Sequence, residues 1–170
     1  ISLDNEERST IALASALHDI GKMSIGDAIL NKPGRLTPEE FEIMKTHTTI
    51  GADMLLELSR HHVGNALMEY AYQIARWHHE RWDGRGYPDG LKGDEIPIAA
   101  QVVSVADVYD ALTSVRVYKD AIPHKEAIQM ILDGKCGTFN PLLLDCLLEV
   151  QDRIAETLAR PADVVAFPTI

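Results

Sequence analysis

A chain of 170 residues, 46% hydrophobic and 25% charged, has the composition of one globular domain with a sizeable core. Its formal net charge of -10 argues against a broad basic surface for a nucleic-acid polymer, and no stretch reaches the roughly 20 apolar residues of a membrane span. Cys136 and Cys146, without a CxxC spacing, make a disulfide framework or a zinc knuckle a poor reading and fit a reducing cytoplasm.

The chain opens at Ile1 without initiator methionine or basic leader, which reads as a segment of something longer. Helical periodicity dominates. From Glu6, an apolar stripe of Ile11, Ala14 and Leu17 predicts a helix ending near Gly21, with His18, Asp19 and Lys22 in its last turn. If this turn is helical, His18 and Lys22 share a face and Asp19 is rotated roughly 100° from His18. Thr37, Pro38 and Glu40 sign the start of a second helix that runs through His47 to Leu58, with Phe41, Met44, Ile50, Met54 and Leu58 facing inward. A third runs from Asn65 to His78-His79. It stops at DGRGYPDGLKGDEIP, whose glycines and prolines predict a shaped loop over residues 84–97. A fourth begins near Ile98, with Ala99, Val102, Val103, Ala106, Ala111 and Leu112 on its apolar side. A fifth is closed by Gly134, and a sixth is capped by Asn140 with Pro141 at its first position. The expected architecture is an all-α bundle of roughly six helices in a single domain over residues 1–170.

Four of these helices carry groups that do not belong in a core. Asp107 lies mid-helix between Ala106 and Val108, where a carboxylate needs a cation or hydrogen bonds. His18-Asp19 and His78-His79 are adjacent pairs whose side chains diverge, so each pair can address two ions or opposite edges of a cluster rather than chelate one. With His47 they supply an imidazole and carboxylate set suited to iron, manganese, zinc or nickel, and Asp19 is the natural bridge between two ions. Such a cluster activates a water to hydroxide and clamps a phosphoryl group. His61 and His62 read as a solvated loop pair, His124 carries no assigned chemistry, and Asp110 reads as an exposed carboxylate or an orienting group.

HDIGK, KPGRLTPEE, the histidine at 47, HHERWDGRGYPDGLKGDEIP, ADVYDALTSVRVYK and GTFNP resemble, in order and spacing, the HD-GYP domain, a bacterial branch of the HD metal-dependent phosphohydrolases. The resemblance implies a helical bundle of the HD-domain type and a cytoplasmic phosphodiesterase. It would open cyclic di-GMP to pGpG, in some members going on to GMP, through a metal-bridging hydroxide. It implies metal ligands at His18, Asp19, His47, His78, His79 and Asp107, with two divalent ions, iron or manganese before zinc or nickel. It places Lys22 against the scissile phosphate, and Tyr87, Arg116 and Lys119 on the substrate. A third ion in some members needs a ligand from an upstream helix that this stretch does not contain, and an N-terminal regulatory domain is expected before it. Gln101 stands where the family commonly has Arg and Asn140 where it usually has Asp, neither touching the metal set. Two other functions stay open: hydrolysis of another cyclic dinucleotide or nucleotide, and a non-catalytic module that binds cyclic di-GMP or docks GGDEF-type diguanylate cyclases through the GYP loop.

Overall fold

The computed structural model describes residues 3–60, 64–115 and 120–159, and among them there is no β-strand. The chain runs through α1 (Asn5–Ser15), a 3₁₀ turn at Ile20–Ser24, α2 (Asp27–Leu30), α3 (Pro38–Lys45), α4 (His47–Ser59) and α5 (Ala66–Trp77). A 3₁₀ turn at Gly93–Glu95 then leads to α6 (Ile98–Thr113), α7 (His124–Leu132) and α8 (Pro141–Ala159). Helix starts follow the sequence signals. Asp4 and Glu7 close a reciprocal capping box on α1, Thr37 and Glu40 do so on α3, and Asn140 Oδ1 accepts from the Leu142 amide at the start of α8.

Two cores meet at α6. Ile11 and Ala14 of α1, Leu55 of α4, Ala71, Ile74 and Ala75 of α5, and Ala99 and Val103 of α6 form the first. The small residues let α4 and α5 pack closely, and the ends of these helices carry the site. Val105, Tyr109 and Leu112 of α6 form the second core with Ile128 and Ile131 of α7 and Leu147 of α8.

The structure departs from the periodicity in three places. The first helix ends at Ser15, not near Gly21: the amides of Ala16, Leu17 and His18 bond three residues back, so the chain tightens into turns and the His18-Asp19 pair leaves the helix. The second predicted helix is two, broken at Thr46. The Thr46 hydroxyl donates to the Ile43 carbonyl at 2.7 Å, and Thr48 and Thr49 bond back to Lys45 and Thr46. Hydroxyls that bond back in this way bend a helix. The bend turns His47 and Thr48 inward and leaves Phe41 and Leu58, expected inside, 45% and 53% exposed. Ala106 is also exposed, on an open apolar groove between α1, α6 and α8.

Candidate metal centre

Three imidazoles converge where α4 begins and α5 ends. His47 is the first residue of α4, His78 caps α5, and His79 follows it; one ring nitrogen from each lies within 4.8 Å of the other two. His78 and His79 therefore face one ion position and not the two expected of divergent helical neighbours, because α5 ends at Trp77. The ring centroids of His78 and His79 are 4.0 Å apart, and that of His47 lies 5.5 Å from His78 and 5.2 Å from His79.

The backbone sets how two of these rings, and His18, are turned. His18 Nδ1–H donates to the Ser15 carbonyl at 2.8 Å, His47 Nδ1–H to Met44 at 2.6 Å, and His78 Nδ1–H to Ile74 at 2.8 Å. A carbonyl only accepts, so Nδ1 holds a proton in all three. In His47 and His78 Nε2 then keeps its lone pair, the tautomer a metal ligand needs, whereas His18 Nε2 faces the Asp19 carboxylate and in metal-free protein is drawn toward a second proton. Nε2 of His47 and of His78 is buried with no hydrogen-bond partner, and so is Oδ1 of Asp19. These atoms face each other: Asp19 Oδ1 lies 3.5 Å from His47 Nε2 and 3.9 Å from His78 Nε2. Three buried acceptors around one point, none satisfied by protein, have the donor character of a cation site, because leaving them unpaired is costly.

Asp19 also reaches the other way. Its Oδ2 lies 3.1 Å from His18 Nε2, which in turn lies 3.9 Å from Asp107 Oδ1. Thus Asp19 stands between the His47, His78 and His79 cluster and the His18–Asp107 pair. Asp107 is half-buried, less enclosed than its apolar neighbours in sequence suggest. Lys22, in the 3₁₀ turn, hydrogen-bonds Asp19 Oδ2 at 2.5 Å, so its cation is held at the site. Arg116 and Lys119, expected on the substrate, lie outside the described residues, as do His61 and His62.

Electrostatics agree with neutral rings beside an ionised bridge. Burial lowers the His47 pKa, pulls His78 down to about 4 and, with His78 and His47 alongside, His79 to about 2. Burial raises the Asp19 carboxyl, but hydrogen bonds from His18 and Lys22 outweigh it and hold Asp19 well below the usual carboxylate range. The hydrogen bond to Asp19 raises His18. The sign for stability follows from His78: between about 6.5 and about 4 the unfolded chain binds the proton the folded chain refuses, so stability falls as pH drops through that window. His18, with its raised pKa, works in the opposite sense. Metal-free protein is expected to show a lower urea midpoint at pH 5 than at pH 7.5, and His78→Gln to narrow that difference, with His79 and His47 supplying the rest; an unchanged pH dependence in the variant would assign it elsewhere.

The loop beside the centre is pinned from beneath. Glu80 Oε1 accepts the Asp89 and Gly90 amides at 2.7 and 2.9 Å, while the Asp89 carboxylate takes Arg76 at 2.8 and 2.9 Å and the Trp77 indole at 2.7 Å. Gly86 lies so close to the chain below that a Cβ there would sit 2.4 Å from the Arg81 nitrogen. Tyr87, placed by these anchors, stacks on His79 with ring centroids 4.8 Å apart. Glu80 was legible only as part of the HHE run, and nothing in the sequence showed that it holds the loop.

A family model described as HD domain matches residues 1–141. The chain belongs to the HD-domain family. Among similar HD-domain proteins, a cyclic di-GMP phosphodiesterase of Thermotoga maritima is 48% identical over 155 residues, covering 90% of this chain and 40% of that protein. A probable cyclic di-GMP phosphodiesterase of Vibrio cholerae is 46% identical over 152 residues, covering 88% of this chain and 34% of that protein. A 3'3'-cGAMP-specific phosphodiesterase 2 of the same organism is 42% identical over 150 residues, covering 88% and 28%. The chain therefore spans well under half the length of these relatives. No helix among the described residues is long and apolar enough to cross a membrane.

Proposed function

We propose that this HD domain is a cytoplasmic, metal-dependent phosphodiesterase that hydrolyses cyclic di-GMP to pGpG, and on to GMP if the linear product rebinds. The observation that carries the reading is the convergence of Asp19 Oδ1 with His47 Nε2 and His78 Nε2, all buried and unpartnered. A docking surface needs no such cluster. The likeness to cyclic di-GMP phosphodiesterases supports the substrate.

His47, His78 and His79 would hold one divalent ion, His18 and Asp107 a second, with Asp19 shared between them; iron or manganese suits this set, and zinc or nickel also accepts it. When bound, such ions make a water nucleophilic at neutral pH and stabilise charge on the phosphoryl oxygens. Lys22 supplies a fixed positive charge to the same oxygens as their charge grows. Its ion pair with Asp19 keeps the ammonium in place before substrate arrives. Tyr87 packs on the substrate beside His79, while Arg116 forks onto a phosphate and Lys119 adds a point charge. The Nδ1–H bonds of His18, His47 and His78 stop these rings from turning when substrate enters.

Lys22→Ala is expected to retain bound metal and to lower kcat on the order of 10²-fold, the size of losing one aimed donor. Equal loss of metal would place Lys22 in metal retention instead. The deciding assay is turnover by protein reconstituted anaerobically with iron or manganese, offered cyclic di-GMP and 3'3'-cGAMP in parallel. The likeness to a 3'3'-cGAMP-specific enzyme is the observation behind the second reading. Faster cleavage of 3'3'-cGAMP would move the assignment to that substrate. No product from either, with metal bound, would leave a binding module that docks GGDEF-type diguanylate cyclases through the loop carrying Tyr87.

A further inference from the structure

Beside the metal centre, α3 presents two side chains that the chemistry so far does not use. Phe41 is 45% exposed, on a helix none of whose residues is fully buried. Its ring meets Tyr87 edge to face, with centroids 6.1 Å apart and planes at 83°. Lys45, one turn further along α3, places Nζ 5.6 Å from the Phe41 centroid and 5.7 Å from the Tyr87 centroid. Its carboxylate partner is Glu42, at 2.7 Å, whose side chain is 70% exposed and free to swing away. Tyr87 stacks on His79, so a continuous path runs from the metal centre through Tyr87 to Phe41, with an ammonium beside both rings.

A large exposed aromatic wastes apolar surface unless something covers it, and every nucleobase offers a flat face to cover it with. An ammonium two residues before His47 is a point charge suited to a phosphate. We propose that Phe41 and Lys45 form, with Tyr87, a subsite for the half of a cyclic dinucleotide that is not being cut: a purine lies on the exposed face of Phe41, and Lys45 Nζ binds the second phosphate. The subsite rests on the phosphodiesterase reading and deepens it. Because stacking reads the π-face and not the base edge, it serves guanine and adenine alike and sets affinity, not the choice between cyclic di-GMP and 3'3'-cGAMP.

The test is Phe41→Ala and Lys45→Ala in the metal-loaded protein, read by steady-state kinetics on cyclic di-GMP, by metal content, and by calorimetric titration with GMP as the purine-phosphate probe. Each variant is expected to raise KM and the GMP dissociation constant about ten-fold, the size of one stacked base or one phosphate contact. The effect on KM should exceed that on kcat, with metal content kept. Phe41→Tyr and Lys45→Arg should restore affinity, which a merely structural role would not require. KM and GMP affinity unchanged in both alanine variants, or wild-type protein that does not bind GMP, would overturn the subsite. If the wild type turns over no cyclic dinucleotide, the phosphodiesterase reading falls, and the GMP titration still decides whether Phe41 and Lys45 bind a purine nucleotide.

Discussion

Asp19→Ala protein is expected to lose metal and hydrolysis in one step. Among the described residues Asp19 is the one carboxylate that faces both halves of the cluster: Oδ1 points to His47 and His78, and Oδ2 to His18 and Lys22. Removing it takes away the negative charge shared between the two ion positions, leaving three neutral imidazoles at one and His18 with Asp107 at the other. Loss of metal affinity should exceed the roughly 10- to 100-fold typical when only a supporting partner of a ligand is removed. Asp19 is about a third exposed, so the fold itself should survive. Asp19→Asn separates shape from charge, because it keeps the side-chain volume and one acceptor oxygen. Both variants, reconstituted anaerobically, should contain little metal by elemental analysis and give no detectable pGpG. Full metal occupancy and turnover in Asp19→Asn would remove Asp19 from its place between the ions.

The candidate site was legible in the sequence because several histidines and aspartates, each ordinary alone at a helix end, together make one imidazole and carboxylate set, with Asp107 set among apolar neighbours. His47, His78 and Asp19 are brought together as those residue types suggested, and Tyr87, expected on the substrate from the likeness to HD-GYP domains, stacks on His79, a contact the sequence did not show. What periodicity could not show was the backbone that aims them. The break at Thr46 depends on hydroxyls bonding back to carbonyls, which leaves no apolar signature, so one continuous stripe was drawn through two helices and Phe41 was placed inside. Lys22 was expected one helical turn from His18, but that turn is not α-helical, and the lysine pairs with Asp19 instead. Gln101 and Asn140 looked like two unrelated departures from the family pattern. In the fold they meet: Asn140 Nδ2 donates to Gln101 Oε1 at 2.9 Å, and Gln101 Nε2 donates to the Ile96 carbonyl at 2.7 Å, both side chains being buried. The two amides satisfy each other without bringing a charge into the core.

Gly21→Ala is expected to damage the protein more than any single loss at the ligands, and for a reason unrelated to metal. The 3₁₀ turn that carries Lys22 is pressed onto the start of α4, with Gly21 at the point of contact. A Cβ on Gly21 would fall 1.9 Å from the His47 carbonyl oxygen and 2.6 Å from the Gly51 nitrogen, both of them backbone atoms that no rotamer change can clear. The turn would have to lift away from α4, and with it Asp19 from His47. Overpacking by a methyl group costs roughly 1–3 kcal/mol where side chains can yield. Against backbone the cost should exceed about 3 kcal/mol, a large share of the 5–15 kcal/mol by which a domain is typically stable. Gly51→Ala is the matched comparison across the same contact. Its Cβ would meet Gly21 nitrogen at 3.0 Å and the Ile20 side chain at 3.4 Å, so small shifts suffice and the loss should be near 1 kcal/mol. Urea denaturation of metal-free protein measures both. Comparable midpoints for Gly21→Ala and wild type would mean that the turn is not held against α4, and the route by which the fold brings Asp19 to His47 would have to be redrawn.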